Sequence, residues 1–551
     1  MNLFPIRSPH LEKGIIPLLI FCSVAGSAQQ TNAPSVQPAT NAAPAPIEGI
    51  TSEVQYRPGV DVGHYPLIEV YLTNQTGKPV EWSRAFLNGD EVKALTNGVV
   101  WTQFYPSENT APGQTTELQI NTVGNPIKPQ TVEIETQDNR RQTVTLPPFK
   151  IPKVRITDVT FSSDFKKTFI AYDWGASSPL APSKITINGV DLTKTVRVLA
   201  LPTGKMARFQ DERRGVLAVQ LPKQAKQGQL LHMRLEFKDG TRTQSLLRAW
   251  RGIFLDAFGV EEKDQKLRKE LGLDIRPASK MLDSDPACED LRAGHKNGRS
   301  VPLILAARKA LYASTNYSDC LSYVYLCTAA TPNTDYSIYG QICDAIQVNP
   351  YQLHWSTSPK FIEEEEKYFH WGWQAAGPRP WYWIPETFEV AGRILEPSEF
   401  RLLAFAFLGH GGKGIKYYIH GGKEGFQNSP PLLQAIKQIN SEIKTLEPIL
   451  SPAIPFSTET VGSPKDGIRI HTLWSGDQGI MAVVRDLAYA PADRRPNDMG
   501  KKPHFKCASR SNITISIHKP EWLNVNEVVD PLNSAKKALP YQVKDGLITV
   551  N

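Results

Sequence analysis

Trp381-Tyr382-Trp383-Ile384-Pro385-Glu386 is an apolar, aromatic run that stops on a carboxylate, and Gly252-Ile253-Phe254-Leu255-Asp256 has the same form. Four further runs share that strand-like character: Met281-Leu282-Asp283-Ser284-Asp285-Pro286, Tyr323-Val324-Tyr325-Leu326-Cys327, Ala345-Ile346-Gln347-Val348-Asn349 and Gly414-Ile415-Lys416-Tyr417-Tyr418-Ile419. Helical patterns at 261–271, 301–312, 397–409 and 431–446 lie between or after them. Strands alternating with helices build parallel βαβ units. Residues 250–452 therefore predict a (β/α)8-like, TIM-type barrel. At about 200 residues it is at the low end for that fold, and six clear strands rather than eight predict one or two shortened units.

Outward from this segment the pattern turns β on both sides. From 50 to 249, runs such as Leu67-Ile68-Glu69-Val70-Tyr71-Leu72 and Thr131-Val132-Glu133-Ile134-Glu135-Thr136 are punctuated by Asn-Gly at 88–89, 97–98 and 188–189. Short strands with frequent turn signals suggest antiparallel sandwiches. A break at Pro147-Pro148 divides them into 50–150 and 151–249. After Pro448, Ile468-Arg469-Ile470-His471-Thr472-Leu473-Trp474 and Ile480-Met481-Ala482-Val483-Val484 flank a turn, which predicts a third sandwich over 453–551. The expected architecture is multidomain, α/β plus all-β: two β-sandwiches, the barrel, and a C-terminal β-sandwich.

The chain begins with Arg7 and Lys13, an apolar stretch over 15–25, and Gly26-Ser27-Ala28. That order matches a secretory signal over 1–28, and about 11 apolar residues fall short of the roughly 20 needed to span a bilayer. Residues 29–49 are rich in Gln, Thr, Asn, Ala and Pro, with too few large apolar groups to offset chain entropy. The expectation is an exported chain, secreted or periplasmic, without stable membrane insertion. The formal charge of +7 comes with no dense basic run, so nucleic acid is not an expected partner. Five cysteines follow the signal, none in a metal-type cluster. They are either buried thiols or include one disulfide among Cys320, Cys327 and Cys343. No metal and no cofactor are expected.

In a parallel barrel the reactive groups sit at the C-terminal strand ends. Here those positions supply Asp256, Asp283, Asp285, Asn349, Tyr351, Glu386 and His420, with Trp371, Trp373, Trp381, Trp383, Tyr417 and Tyr418 nearby. Carboxylates framed by aromatic faces suit a pyranose, whose C–H face stacks on a ring while its hydroxyls take polar partners. The Glu363–Glu366 run reads as a solvated helix face. Glu399, two residues after Pro397, reads as a first-turn helix carboxylate. The Gly409–Gly414 turn lacks the Gly-Lys-Ser/Thr of a phosphate loop.

Residues 250–550 resemble the retaining, clan-A (β/α)8 glycoside hydrolases and their bacterial relatives. The resemblance is carried by Arg379-Pro380-Trp381-Tyr382-Trp383-Ile384-Pro385-Glu386, Glu399-Phe400-Arg401, the helix after it, and Gly409-His410-Gly411-Gly412-Lys413-Gly414-Ile415-Lys416-Tyr417-Tyr418. It implies a carbohydrate substrate and Glu386 as nucleophile on the penultimate strand. The family's acid/base is a Glu after Asn on the fourth strand, a pair this chain lacks, and Asp283 and Asp285 are the nearest equivalents. That departure leaves three alternatives: an atypical acid/base, an inverting arrangement, or a degenerate barrel that binds carbohydrate without cleaving it.

Overall fold

The computed structural model describes residues 47–551 except 61–64, 175–180, 203–213, 251, 277–278, 285–299, 315–316, 318, 328–331, 353–360, 390–393, 419, 464–466, 493–503, 508–509, 511–512 and 534–536. The segments read as a signal and a leader lie outside these residues, apart from 47–49. Among the described residues no helix is long and apolar enough to cross a membrane.

The central element is a parallel sheet of six strands: β1 (Phe254–Ala257), β2 (Ser279–Ser284), β3 (Leu321–Cys327), β4 (Ala345–Asn349), β5 (Trp381–Trp383) and β6 (Gly414–Tyr417). Helices α1 (Gln265–Leu271), α2 (Val301–Ala313), α3 (Pro332–Tyr339), α4 (Phe361–Ala376), α5 (Pro397–Gly409) and α6 (Pro430–Leu450) alternate with them. The strand order is β1-β6-β5-β4-β3-β2, which is cyclic in sequence. The sheet curls until its first strand pairs with its last, and among the described residues only β1 and β2 have no ladder between them.

Among the described residues the sheet is a strongly curled, six-stranded half-barrel open at one seam, with the six clear strands read in the sequence and no full eight-stranded closure. The reason lies in the chain after β1. Leu255 N–H donates to Asp274 Oδ2 at 2.9 Å, and Asp274 N–H donates back to the Leu255 carbonyl at 3.0 Å. Local bonds thus take part of the edge that β2 would pair with.

The curl brings non-adjacent strands into contact. Phe254 (β1), Met281 (β2), Tyr323 (β3), Ala345 (β4) and Tyr382 (β5) form one interior cluster. The Phe254 and Tyr382 rings are 5.1 Å apart, Tyr323 and Tyr382 5.6 Å, and Ser279 Oγ lies 2.6 Å from the Tyr382 hydroxyl. Gly414 is required here, since a Cβ would sit 2.7 Å from the Tyr382 ring and 2.8 Å from Phe254. On the outer face Val324, Leu326, Ile346, Val348, Trp381, Trp383 and Ile415 pack with residues of α4, α5 and α6.

Local sequence sets the helix ends. α5 opens on a capping box in which Glu399 Oε2 accepts the Glu396 N–H at 2.9 Å, the first-turn role read for Glu399. α1 stops at Gly272, whose φ of 71° is left-handed. α6 runs through Pro448 to Leu450, past the expected end at 446.

Residues 47–149 and 154–250 each enclose a core between two antiparallel sheets. In the hairpins, Asn88-Gly89 and Asn188-Gly189 take positive φ at both residues, as two-residue turns demand. The first of these sandwiches abuts the N-terminal ends of the parallel strands: the Trp101 indole N–H donates to the Ile338 carbonyl and the Tyr105 hydroxyl to Asp344. Beyond α6 a three-stranded sheet (453–461, 468–475, 479–486) is followed by small antiparallel sheets. Cys320 and Cys343 are buried, and burial pushes the Cys343 thiol up to about 12.

Candidate functional site

Side chains alternate along a strand, so residues in phase with the interior cluster point into the curled sheet. Along β4 these are Ala345, Gln347 and Asn349, while Ile346 and Val348 face the helices. Along β3 they are Tyr323 and Tyr325. Beyond β5 the pairing resumes as a parallel bridge between Glu386 and Tyr418.

At this C-terminal mouth, rings from several strand ends meet. Tyr418 is 5.1 Å from Phe388, 5.3 Å from Phe258 and 6.0 Å from Tyr351; Tyr351 is 5.4 Å from Phe388, and Phe258 is 6.4 Å from Tyr325. Glu386 is set among them, 2% exposed. Burial, then the neighbouring Tyr325, Tyr418 and Glu386, hold the Tyr351 hydroxyl well above its ordinary range. The Tyr351 hydroxyl faces Asn349 without closing a well-formed hydrogen bond. Both amide atoms of Asn349 and of Gln347 are buried without a partner among the described residues. Buried polar groups are nearly always satisfied, and these unpaired amides lie on the inward face of β4 toward the C-terminal end of the sheet.

Of the residues singled out from sequence, Asn349, Tyr351, Glu386 and Tyr418 are brought together here. His420 is on the loop beyond, half-buried, its N–H donating to the Phe258 carbonyl and its ring lying 5.4 Å from Phe426; burial lowers its proton affinity.

Asp256 is paired with two cations, Arg268 at 2.8 Å and Lys416 at 3.1 Å. Trp381, Trp383 and Tyr417, out of phase with the interior, and Trp371 on α4 belong to the apolar layer between sheet and helices, and their expected place on the sugar-facing surface is corrected accordingly. Trp373 faces the second sandwich, its indole N–H 2.8 Å from Asp158 and its ring under Arg214. Asp283 lies near the end of β2 opposite Val324; its side chain, and all of Asp285, lie outside the described residues.

The Glu363–Glu366 run is also corrected. Glu365 is 2% exposed and accepts the Trp383 indole N–H at 2.9 Å, and burial raises its carboxyl to about 8. Glu366 is buried between Arg469 and Arg485. Half of the run thus faces inward, where α4 meets the sheet and the C-terminal module.

Sequence reasoning passed over Phe258, Tyr325, Phe388 and Lys416. The two-residue period would have found them, because each stands two positions from a residue of the same face: Asp256, Tyr323, Glu386 and Tyr418. Among the described residues no group of three His, Cys, Asp or Glu side chains could hold a metal ion.

No family model matches this chain, and no curated protein does. Solved structures similar to it include a β-D-glucuronidase from Dictyoglomus thermophilum (13% identity, TM-score 0.22, covering 72% of this chain and 98% of that one). A GH2 β-galacturonidase from Eisenbergiella tayi gives 10% identity and a TM-score of 0.23 over 73% and 98%. The GH36 α-galactosidase AgaA from Geobacillus stearothermophilus gives 10% and 0.26 over 91% and 87%. Likenesses at TM-scores of this size carry no weight for activity; the side chains do.

Proposed function

We propose that this chain is an exported glycoside hydrolase acting on a polysaccharide or its oligosaccharides at the C-terminal mouth of the curled sheet. One observation carries the reading: a buried carboxyl, Glu386, is bridged to Tyr418, whose ring meets those of Tyr351 and Phe388, with the Asn349 amide on the adjoining strand. Rings receive the apolar face of a pyranose, amides take its hydroxyls, and a carboxylate stabilises positive charge developing at the anomeric carbon.

In this mechanism Glu386 is the nucleophile or the base that activates water. The proton for the leaving oxygen comes from a carboxyl at the end of β2, Asp283 or Asp285. A separation of about 5–5.5 Å between the two carboxyls corresponds to retention, and about 6.5–9.5 Å to inversion. The signal-like segment at 1–28 supports export; the N-terminal residue of the protein recovered outside the cytoplasm tests it.

The second reading is a carbohydrate-binding protein on a degenerate barrel. It is favoured by Asp256, a strand-end carboxylate whose two oxygens are already engaged by Arg268 and Lys416. Hydrolysis and binding of a panel of defined oligosaccharides separate the two. Glu386→Gln is expected to slow cleavage by about 10²–10⁴-fold while leaving binding largely in place. Binding without cleavage by the wild type would favour the second reading. Equal cleavage by the variant would remove Glu386 from the mechanism.

A further inference from the structure

The second sandwich holds a charge that the rest of the chain does not share. Residues 150–249 carry 18 Lys and Arg against 8 Asp and Glu, a net +10 in a chain of +7, so the remainder is slightly acidic. Where this sandwich joins the first, the basic excess meets exposed apolar surface. Val123, Ile127 and Ile151 are 50%, 84% and 62% exposed. Lys128, Lys150 and Lys153, all exposed, flank the two isoleucines in sequence, and neither 123–130 nor 147–153 contains an acid. Asp239 is within electrostatic reach of Lys153, and Lys238 beside it in the chain offsets its charge.

The two segments are tied to each other and to the sandwich beneath. The Phe149 N–H donates to the Pro126 carbonyl at 2.7 Å, so Ile127 lies one residue from that bond and Ile151 two. The Val123 N–H donates to the Gly98 carbonyl at 2.8 Å. The Tyr56 hydroxyl donates to the Pro147 carbonyl at 2.5 Å, and its ring lies 5.3 Å from that of Phe149. Pro126, Pro129, Pro147, Pro148 and Pro152 restrict the backbone further. Docking on this surface would therefore cost little ordering of the chain.

The chemistry of the surface selects its partner. A soluble polyanion would meet the lysines and leave the isoleucines in water. A neutral apolar surface would take the isoleucines and give the ammonium groups nothing. An anionic bilayer offers both, phosphates at its surface for the lysines and acyl chains just beneath for short apolar protrusions. We infer that the junction of the two sandwiches docks the protein peripherally on a lipid surface with anionic headgroups. This goes beyond the hydrolase reading, and each can fail without the other.

The test is co-sedimentation of the full chain with vesicles of phosphatidylglycerol and phosphatidylcholine, against phosphatidylcholine alone, with polyphosphate as a soluble polyanion. The variants share the wild-type N-terminal segment, so any difference from wild type reads the junction alone. Phosphatidylglycerol vesicles are expected to bind more tightly than phosphatidylcholine ones. The triple variant Lys128→Gln, Lys150→Gln, Lys153→Gln and the double variant Ile127→Ser, Ile151→Ser should each weaken that binding about tenfold or more. The double variant should leave binding of polyphosphate unchanged. All five side chains are exposed, so both variants should keep the wild-type melting temperature. Phosphatidylglycerol vesicles should also shield Lys128 and Lys150 from reductive methylation, a readout that needs no variant. The proposal is overturned if the two vesicle types bind alike, if either variant binds phosphatidylglycerol vesicles as the wild type does, if the double variant weakens polyphosphate and vesicle binding equally, or if the lysines stay unshielded.

Discussion

The two ends of the parallel sheet differ in how their buried polar groups are answered. At the N-terminal end Asp344, just before β4, accepts from the Tyr105 hydroxyl at 2.7 Å, the Tyr312 hydroxyl and the Ser322 N–H at 2.9 Å, with Arg248 at 3.5 Å. Arg379, before β5, donates to the Gln341 and Cys343 carbonyls, and Lys413, before β6, donates to the carbonyls of Leu450 and Ala453. At the C-terminal end Gln347 and Asn349 are equally buried, yet their amide atoms have no partner among the described residues. A polar group that is answered holds sequence-distant modules together, while one left unanswered costs stability unless a water or a ligand meets it.

The largest effect should come from the answered end. Asp344→Ala strips the partner from Arg248 and several hydroxyls and is expected to cost about 3–5 kcal/mol in chemical denaturation. Trp381→Ala should cost a comparable 3–5 kcal/mol by opening a cavity beside Phe369 and Phe407, with carbohydrate binding by the protein that remains folded unchanged. A loss of binding with little loss of stability would return Trp381 to the mouth.

A smaller effect is pH-dependent. Glu365 has its carboxyl raised to about 8 by burial, against an ordinary value of 4.5. Between those values the folded chain keeps a proton that the unfolded chain has lost, so its contribution to stability falls as pH rises across that window, by at most about 1.4 kcal/mol per pH unit. Glu365→Gln should flatten this part of a melting-temperature profile; an unchanged profile would show that Glu365 does not hold the proton. Glu117, buried beside Glu69 and also raised to about 8, adds a slope of the same sign that the variant leaves in place.

The smallest stability effect belongs to the unanswered end. Asn349→Ala is expected to change folding free energy by less than about 1 kcal/mol, yet to weaken carbohydrate binding about tenfold or more. If it destabilises as much as Asp344→Ala, the contrast between the two ends is wrong.

The six strands and most helices could be read in the sequence because apolar runs and charged amphipathic stretches alternate so regularly. The inward face could not. β5 is three aromatic residues buried on both sides, as parallel strands often are, and nothing in Trp381-Tyr382-Trp383 says that only Tyr382 turns inward. The register says it, through Tyr382 meeting Phe254 from a strand far away in sequence. The same limit hid the ion pairs of Asp256 and Glu366, whose partners Lys416 and Arg485 lie more than 100 residues onward. Glu386 and Tyr418 were legible because a carboxylate or ring at a strand's end carries its position with it.

The pairing of β1 with β6 also orders events in time. During synthesis, Phe254–Ala257 emerges long before Gly414–Tyr417, the strand on which its ladder depends. Until then β1 has only the local bonds to Asp274, so the curl closes late, after most of the helical layer is made. A nascent chain halted before 414 should therefore hold its two sandwiches but leave the first parallel strand open to proteases.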